Sequence, residues 1–209
     1  VGIDERRVAI VPNGVDGPDH VAPRVPTNGV RRITYTGRLG ERKGTAELIR
    51  AAASLSHRED WRLSIAGNGD VEQYRALAAA EGIVDRVEFM GWLGREQVQE
   101  LLADSDVFVL PSHAEGLPLS VLEATSHGCA VVTTPVGNVE DVITDGGNGL
   151  LVPPGEVGPL ATAIASLLDD EALMTALGRA ARTDWEQSYS RESMSAGLAS
   201  VWRRSLEGR

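Results

Sequence analysis

Residues 107–123 read VFVLPSHAEGLPLSVLE and join a continuously apolar run to a polar loop and then to a helix-compatible segment. A run of this kind, rich in β-branched and aromatic residues, is typical of a strand that helices cover on both faces. Pro118 suits the start of the helix, because a proline there loses no hydrogen bond. The stretch therefore predicts a buried strand, a loop and a helix, which is the repeating unit of a parallel α/β sheet.

The same unit recurs on both sides of this stretch. Short β-rich runs predict strands at 32–36, 61–66, 86–90, 107–110, 130–133 and 149–152. Helix-compatible segments separate most of them, at 44–55, 71–81, 96–103 and 119–127. Strand and helix in alternation imply right-handed crossovers. We therefore expect an α/β fold with a single Rossmann-like, doubly wound parallel sheet of about six strands.

Three regions are predicted along the chain. Residues 1–30 contain Pro18, Pro23 and Pro26 and are interpreted as an interdomain linker that leads into the domain. Residues 31–183 form the Rossmann-like domain. Within the segments 157–168 and 173–206 we expect two or three helices, and residues 184–209 form a C-terminal helical tail.

Composition narrows the class of protein. The chain has 209 residues, 42% of them apolar, and a net charge of −10, which argues against a nucleic-acid or anionic-membrane binder. Its single cysteine, Cys129, excludes a disulfide scaffold and a cysteine-built zinc site. No apolar run of membrane-spanning length and no signal peptide is recognised. We therefore expect a cytoplasmic domain.

The loop after the first predicted strand, Gly37 to Gly44, contains the only lysine of the chain. Of the 20 basic residues, 19 are arginine, so Lys43 is a candidate functional residue. A coding bias that favours arginine would also explain the single lysine. Arg38 and Lys43 bracket the start of the next helix, where cations are unfavourable unless an anion lies between them. A bound diphosphate would resolve that conflict, whereas Arg42 is interpreted as solvated.

The loop after the strand at 107–110 carries two glutamates. Glu115 lies in the loop, where it could simply cap the helix, and Glu123 lies inside the helix among apolar neighbours. A carboxylate in that position can accept hydrogen bonds from two hydroxyl groups, such as those of a ribose diol. The backbone amides of Gly116, Leu117 and Leu119 are free to face a phosphate or a sugar.

Two further glycine-containing segments follow strands. Gly67-Asn68-Gly69 begins like a dinucleotide fingerprint, but Glu72 stands where the third glycine belongs, so an NAD-dependent dehydrogenase is disfavoured. Trp92 and Leu93 follow the third strand and offer a flat apolar surface that could hold a base. Trp92 could equally pack against the edge of the domain.

These motifs, in this order and spacing, resemble the C-terminal, donor-binding half of a GT-B glycosyltransferase of retaining family 4, the group 1 glycosyltransferases. The resemblance covers nearly the whole chain and rests on the segments 12–16, 37–44, 115–123, 128–134 and 148–155. The seven residues between Glu115 and Glu123 match the paired-glutamate motif of that family.

The resemblance implies a role for each candidate residue. Arg38, Lys43 and Glu115 would form the catalytic set, with the two cations on the donor diphosphate and the glutamate on hydroxyls of the donor sugar. Glu123 would accept the ribose hydroxyls. The remaining substrate-binding positions implied are Gly37, Gly67, Trp92, Leu93, Gly116, Leu117, Pro118 and Leu119.

The resemblance also implies what the chain needs and what it lacks. The donor would be a nucleotide-sugar, most simply of UDP or GDP, with no metal and no other cofactor. The acceptor would bind a missing N-terminal domain, through which alone a membrane could be contacted. The isolated chain is therefore expected to bind donor weakly and to transfer little sugar. Two alternatives remain, a stand-alone nucleotide-sugar-binding module and half of a GT-B nucleotide-sugar epimerase.

Overall fold

The protein is described by a computed structural model that covers residues 8–22 and 29–207. Six parallel strands form one sheet: β1 (Arg31–Thr36), β2 (Trp61–Ala66), β3 (Val87–Gly91), β4 (Val107–Leu110), β5 (Ala130–Thr133) and β6 (Leu150–Leu151). Their order across the sheet is β3-β2-β1-β4-β5-β6. This is the order of a Rossmann-like doubly wound sheet, so the predicted fold class is confirmed.

Seven helices accompany the sheet in the described part of the chain: α1 (Thr45–Ser54), α2 (Val71–Ala80), α3 (Arg95–Ala103), α4 (Leu119–Ser126), α5 (Val157–Asp169), α6 (Glu171–Asp184) and α7 (Arg191–Glu207). Helix α1 packs between α2 and α5, and α3 packs beside α4. The side chains of Tyr35, Trp61 and Phe108 are fully enclosed between the sheet and its helices. Neither face of strands β4 and β5 meets water, which explains their unbroken apolar sequence.

The strand and helix predictions hold with small shifts at their ends. Strand β3 begins one residue later than predicted, because Arg86 ends the short 3₁₀ turn Val84–Arg86. Strand β6 is shortened to two residues. Helix α3 begins at Arg95, one residue earlier than predicted, directly after Gly94.

The C-terminal segment folds back onto the first described residues. It contains α6, a wider π-helical turn at Trp185–Tyr189, and α7, which begins after the extended residue Ser190. The Val15 amide donates to the Tyr189 carbonyl over 3.0 Å, and Arg191 pairs with Asp16. The predicted linker at 1–30 lies partly outside the described residues, which omit 1–7 and 23–28, and residues 208–209 of the predicted tail are also outside them. Among the described helices, none combines the length and apolarity needed to cross a bilayer.

Candidate functional site

The strand order reverses direction between β1 and β4, and the loops that follow these two strands meet there. In open α/β sheets, ligands bind at this switch point, beyond the carboxyl ends of the strands. The His113 amide donates to the Arg42 carbonyl over 2.9 Å, and the Arg42 guanidinium donates back to the Ala114 carbonyl over 3.2 Å. The two loops therefore form one surface.

Gly44 fixes the approach of the two loops. Its backbone lies in the left-handed region, with φ of 66°, at the residue just before α1. A Cβ on Gly44 would stand 2.0 Å from the Pro111 carbonyl oxygen. The glycine therefore allows the backbone after β1 to rest directly on the backbone after β4, which places Lys43 above Glu115.

Lys43 and Glu115 are joined although 72 residues separate them in the chain. Lys43 Nζ lies 2.6 Å from Glu115 Oε1, and the Ser112 hydroxyl donates to the same oxygen over 2.6 Å. The Glu115 side chain is 7% exposed and that of Lys43 is 25% exposed. Ser112 is itself fixed, because the Thr134 hydroxyl donates to its carbonyl over 2.6 Å. Two of the predicted catalytic residues therefore share one ion pair.

Arg38, the third predicted catalytic residue, is exposed. Its backbone carbonyl accepts a hydrogen bond of 2.9 Å from the Tyr35 hydroxyl, whose pKa is raised by burial. Its guanidinium forms no ion pair or hydrogen bond with the described part of the chain. Arg38 is thus a cation on a fixed backbone that is open to an anionic ligand.

A cleft of about 310 Å³ opens beside the switch point, across the ends of β1, β2 and β3. The loops that form it are hydrogen-bonded in series, with the Gly37 amide on the Ala66 carbonyl and the Gly67 amide on the Gly91 carbonyl. The cleft brings together five predicted site residues and four others: Gly37, Gly67, Trp92, Leu93 and Glu123, with Thr36, Ala66, Arg95 and Val98.

Glu123 reaches this cleft from α4. Burial raises the pKa of its carboxyl, and the positive charge of Arg95 acts in the opposite direction. The guanidinium of Arg95 also pairs with Asp16, so it links the first described segment to the mouth of the cleft. The Glu123 carboxylate is partly desolvated and has no hydrogen-bond donor among the described residues. It can therefore accept hydrogen bonds from hydroxyl groups of a ligand.

The loop at 115–119 leaves backbone donors available. Within the described part of the chain, the amides of Gly116, Leu117 and Leu119 donate to no protein oxygen. Pro118 directly precedes α4, as the sequence predicts, so two of these amides lie close to a helix N-terminus that favours anions. The Gly116 carbonyl accepts from the Asn138 amide over 2.8 Å, which attaches the loop to the segment after β5.

Sequence reasoning missed several residues of this region. The sequence predicts a solvated Arg42, whereas its guanidinium joins the two loops. His113 Nε2 lies 3.0 Å from Glu47 Oε1 of α1. Arg95 and Thr36 line the cleft. Arg95 could have been found, since it follows Trp92-Leu93-Gly94 at a helix start. The other contacts depend on which strands are neighbours, and no local motif encodes that order.

No group of three or more metal-ligating side chains is assembled by the residues that the structure describes.

The sequence pattern of the family described as "Glycosyl transferases group 1" matches residues 22–184, which is most of the chain. The chain belongs to this family. Its fold is accordingly that of a GT-B glycosyltransferase domain, and the six-stranded sheet with its switch point is the part that the family match covers.

Among curated relatives, this glycosyltransferase domain is 31% identical over 204 residues to a glycogen synthase of Mycobacterium tuberculosis, with coverage of 96% of this chain and 49% of the relative. Among solved structures, sucrose-phosphate synthase from Thermosynechococcus elongatus superimposes with a TM-score of 0.81 at 24% identity, covering 96% of this chain and 53% of that one. HepE from Anabaena, solved with UDP and glucose, has a TM-score of 0.77 at 22% identity, covering 84% of this chain and 49% of that one.

The structural matches establish the fold of this glycosyltransferase domain. The chain spans about half the length of the relatives and structures it matches.

Proposed function

We propose that this chain is the donor-binding domain of a retaining, family 4 glycosyltransferase that uses a nucleoside diphosphate sugar, with UDP or GDP as the nucleotide. The observation that carries the proposal is the ion pair of Lys43 with Glu115 at the switch point of the sheet, beside a cleft that contains Glu123. Arg38 lies in the same loop as Lys43 and is exposed. One ligand with a diphosphate, a sugar and a ribose would satisfy all four side chains.

The diphosphate would lie between the two cations. Arg38 has an open guanidinium, and Lys43 is one-quarter exposed. The amides of Gly116 and Leu117, which donate to no protein oxygen among the described residues, belong to the loop that follows β4 at the same edge of the sheet. Backbone amides at a helix start together with positive side chains bind phosphate oxygens strongly. Placement of the anion there also removes the unfavourable effect of cations near the N-terminus of α1.

The nucleoside would occupy the cleft across β1, β2 and β3. Glu123 would accept both ribose hydroxyls, while Trp92 and Leu93 offer an apolar surface and backbone groups to the base. Gly37 and Gly67 also line this cleft, and a Cβ on Gly67 would stand 1.8 Å from the Gly37 carbonyl oxygen, so Gly67 allows the two loop backbones to pack closely. The complex of HepE with UDP and glucose gives this proposal a precedent in the same fold.

In the transfer itself, the bond between the anomeric carbon of the sugar and the diphosphate breaks, and the diphosphate keeps the bonding electrons. A hydroxyl oxygen of the acceptor forms the new bond to that carbon, and its proton passes to the departing diphosphate. Arg38 and Lys43 would stabilise the negative charge that develops there, which is the work of a divalent ion in other transferases. The proposed enzyme therefore needs neither a metal ion nor another cofactor. Retention of configuration is proposed from the family resemblance, and NMR of the product anomer formed by the whole protein tests it.

The acceptor would bind the part of the protein that corresponds to the other half of the relatives. This chain alone is then expected to bind donor and to transfer little sugar. Any contact with a membrane would come through that other half, and the net charge of −10 disfavours nucleic acid as a partner. A nucleotide-sugar donor is consistent with a cytoplasmic location, which we propose for the enzyme.

The proposal is tested by a thermal-shift series with UDP, GDP, ADP and NAD. A ligand present at 100 times its Kd stabilises a protein by about 2.7 kcal/mol. For a domain of this size, that corresponds to a Tm increase of roughly 5–10 °C. We expect the increase with UDP or GDP, and we expect Lys43→Ala to abolish it.

The matched control is Arg50→Ala, which removes an exposed cation from α1 that pairs with Glu81 over 3.7 Å. This variant should respond to nucleotide as the wild type does. Stabilisation by NAD alone, or by a nucleoside diphosphate equally in wild type and Lys43→Ala, would contradict the proposal.

A further inference from the structure

The ion pair between Lys43 and Glu115 uses the cation that a diphosphate would need. Lys43 Nζ lies 2.6 Å from Glu115 Oε1, which is a short charge-assisted hydrogen bond. No other carboxylate among the described residues pairs with Lys43. Lys43 has further N–H donors, but Glu115 already neutralises its single positive charge. A diphosphate that binds there must therefore compete with Glu115 for that charge.

That competition is costly because Glu115 is almost enclosed. Its side chain is 7% exposed, and its remaining hydrogen-bond donor among the described residues is the Ser112 hydroxyl, on the same oxygen. Removal of the positive partner from a buried carboxylate leaves an uncompensated charge, which is strongly unfavourable. A ligand that takes Lys43 away is penalised unless it offers Glu115 new donors.

We propose that Glu115 acts as an internal competitor for Lys43, so that the site prefers a nucleoside diphosphate sugar to the bare nucleoside diphosphate. The inference rests on the proposed function and concerns the specificity of the same site. Hydroxyl groups of the donor sugar replace Lys43 as hydrogen-bond donors to Glu115. The bare nucleoside diphosphate draws Lys43 away from Glu115 but supplies no hydroxyl group that could donate a hydrogen bond to Glu115.

The pair also affects the end of the reaction. Once the sugar has left, Glu115 loses its hydroxyl donors while Lys43 still holds the diphosphate. Return of Glu115 to Lys43 then restores the ion pair seen in the unliganded protein and weakens the hold on the product. The same two side chains therefore favour binding of the donor and release of the nucleoside diphosphate.

Calorimetric titration of this chain tests the proposal. The probes are UDP, GDP and ADP, each compared with its glucose ester, on wild type and Glu115→Gln. The control is Glu41→Gln, which removes an equal charge from an exposed residue two positions before Lys43. The control separates loss of the competitor from a general reduction of negative charge near the site.

For the nucleotide that wild type binds, we expect Glu115→Gln to lower the Kd of the bare diphosphate by about tenfold. The Kd of the glucose ester should change less, since the ester already satisfies Glu115 in the wild type. Glu41→Gln should change either Kd by less than about twofold. In a Lys43→Ala background, Glu115→Gln should no longer tighten binding, because there is no cation to release.

Equal tightening of the diphosphate and its ester by Glu115→Gln, or no tightening of either, would overturn the inference while leaving the proposed function intact. Failure of wild type to bind any of the six probes would overturn the proposed function and the inference with it. If the Gln variant does not fold, Glu115→Ala gives the same comparison, because it also frees Lys43.

Discussion

The two ends of strand β1 use arginine in opposite ways. At the amino end, the guanidinium of Arg31 is buried, 3.2 Å from Asp106 and 2.8 Å from Glu171. At the carboxyl end, Arg38 is exposed and its guanidinium has no partner among the described residues. The difference separates two uses of one side chain. The neutralised arginine holds the fold together, and the open one is available to a ligand.

Cavity size alone would favour the amino edge of the sheet as the candidate site. The cleft at the amino edge, near Asp106, Gly128 and Arg179, has a volume of about 620 Å³, against about 310 Å³ for the cleft at the carboxyl edge. The smaller cleft contains a carboxylate with a raised pKa, and the open cation Arg38 directly follows Gly37, which lines that cleft. Unsatisfied chemistry, rather than volume, therefore identifies the candidate site.

The largest expected effect is on stability, at the amino end of β1. Arg31→Ala leaves Asp106 buried without its cation, so the free energy of unfolding should fall by about 3 kcal/mol or more. Arg38→Ala removes the same side chain from the other end and should change it by less than about 0.5 kcal/mol, while it weakens UDP or GDP binding. Urea unfolding and calorimetric titration check both. Similar unfolding free energies for the two variants would contradict the claim that Arg31 stabilises the fold and Arg38 does not.

The second effect concerns the glycines of the loop at the carboxyl end. Gly44→Ala places a Cβ 2.0 Å from the Pro111 carbonyl oxygen at a φ of 66°, so we expect a loss of about 2 kcal/mol in unfolding free energy. Gly40→Ala is the matched control, because no atom lies within 4 Å of the added Cβ. Equal stability of the two variants, measured by urea unfolding, would show that the loops do not meet as described.

Glu123 gives a pH-dependent effect. Burial raises the pKa of its carboxyl above the ordinary value of 4.5, so the ionised form is disfavoured in the folded state. The stability linked to this group is fully present below the unfolded pKa and is lost as the pH rises through the folded pKa. Glu123→Gln should therefore raise Tm by roughly 2 °C near pH 8 and leave it unchanged near pH 4.

The same variant separates stability from recognition. Loss of the ribose acceptor should weaken UDP or GDP binding about fivefold, although the protein itself becomes more stable at pH 8. Nucleotide binding that is as tight in Glu123→Gln as in wild type would exclude Glu123 as the ribose acceptor.

The smallest effect is expected at Trp92, whose surface is 73% exposed. Trp92→Ala should leave the unfolding free energy within about 0.5 kcal/mol of wild type and raise the Kd of the nucleotide about threefold, through loss of contact with the base. Trp202→Ala removes an equally exposed tryptophan, 74% exposed on α7, and should leave the Kd unchanged. An identical response to the two substitutions would contradict a role for Trp92 in the site.

The fold could be predicted because the local sequence of each strand reflects how deeply that strand is buried. The run Val107–Leu110 is apolar on both faces, and the helix-compatible segments between strands are long enough for crossovers. Loops with Gly37, Gly44 and Gly67 follow the strands, where a ligand site is expected in such a sheet. The sequence alone therefore suffices to propose a candidate site that contains two cations and two glutamates.

The contacts between residues of the candidate site could not be predicted from the sequence. Lys43 meets Glu115 only because β1 and β4 are neighbours in the sheet, and strand order is a property of the whole fold. For the same reason the sequence could not tell Arg31, which Asp106 neutralises, from Arg38, which stays open. A local pattern is enough to propose residue types for a candidate site, whereas prediction of which charges remain unpaired requires the packing.

The central claim is that the carboxyl edge of the sheet, rather than the amino edge, binds a nucleoside diphosphate. Titration of the isotope-labelled protein with UDP and GDP, followed by amide chemical shifts in NMR, tests it most directly. We expect shifts concentrated in residues 37–44, 67, 92, 93, 116, 117 and 119, with the amides of Arg31, Asp106 and Gly128 unmoved. Shifts confined to the amino edge, or none with either nucleotide, would contradict it.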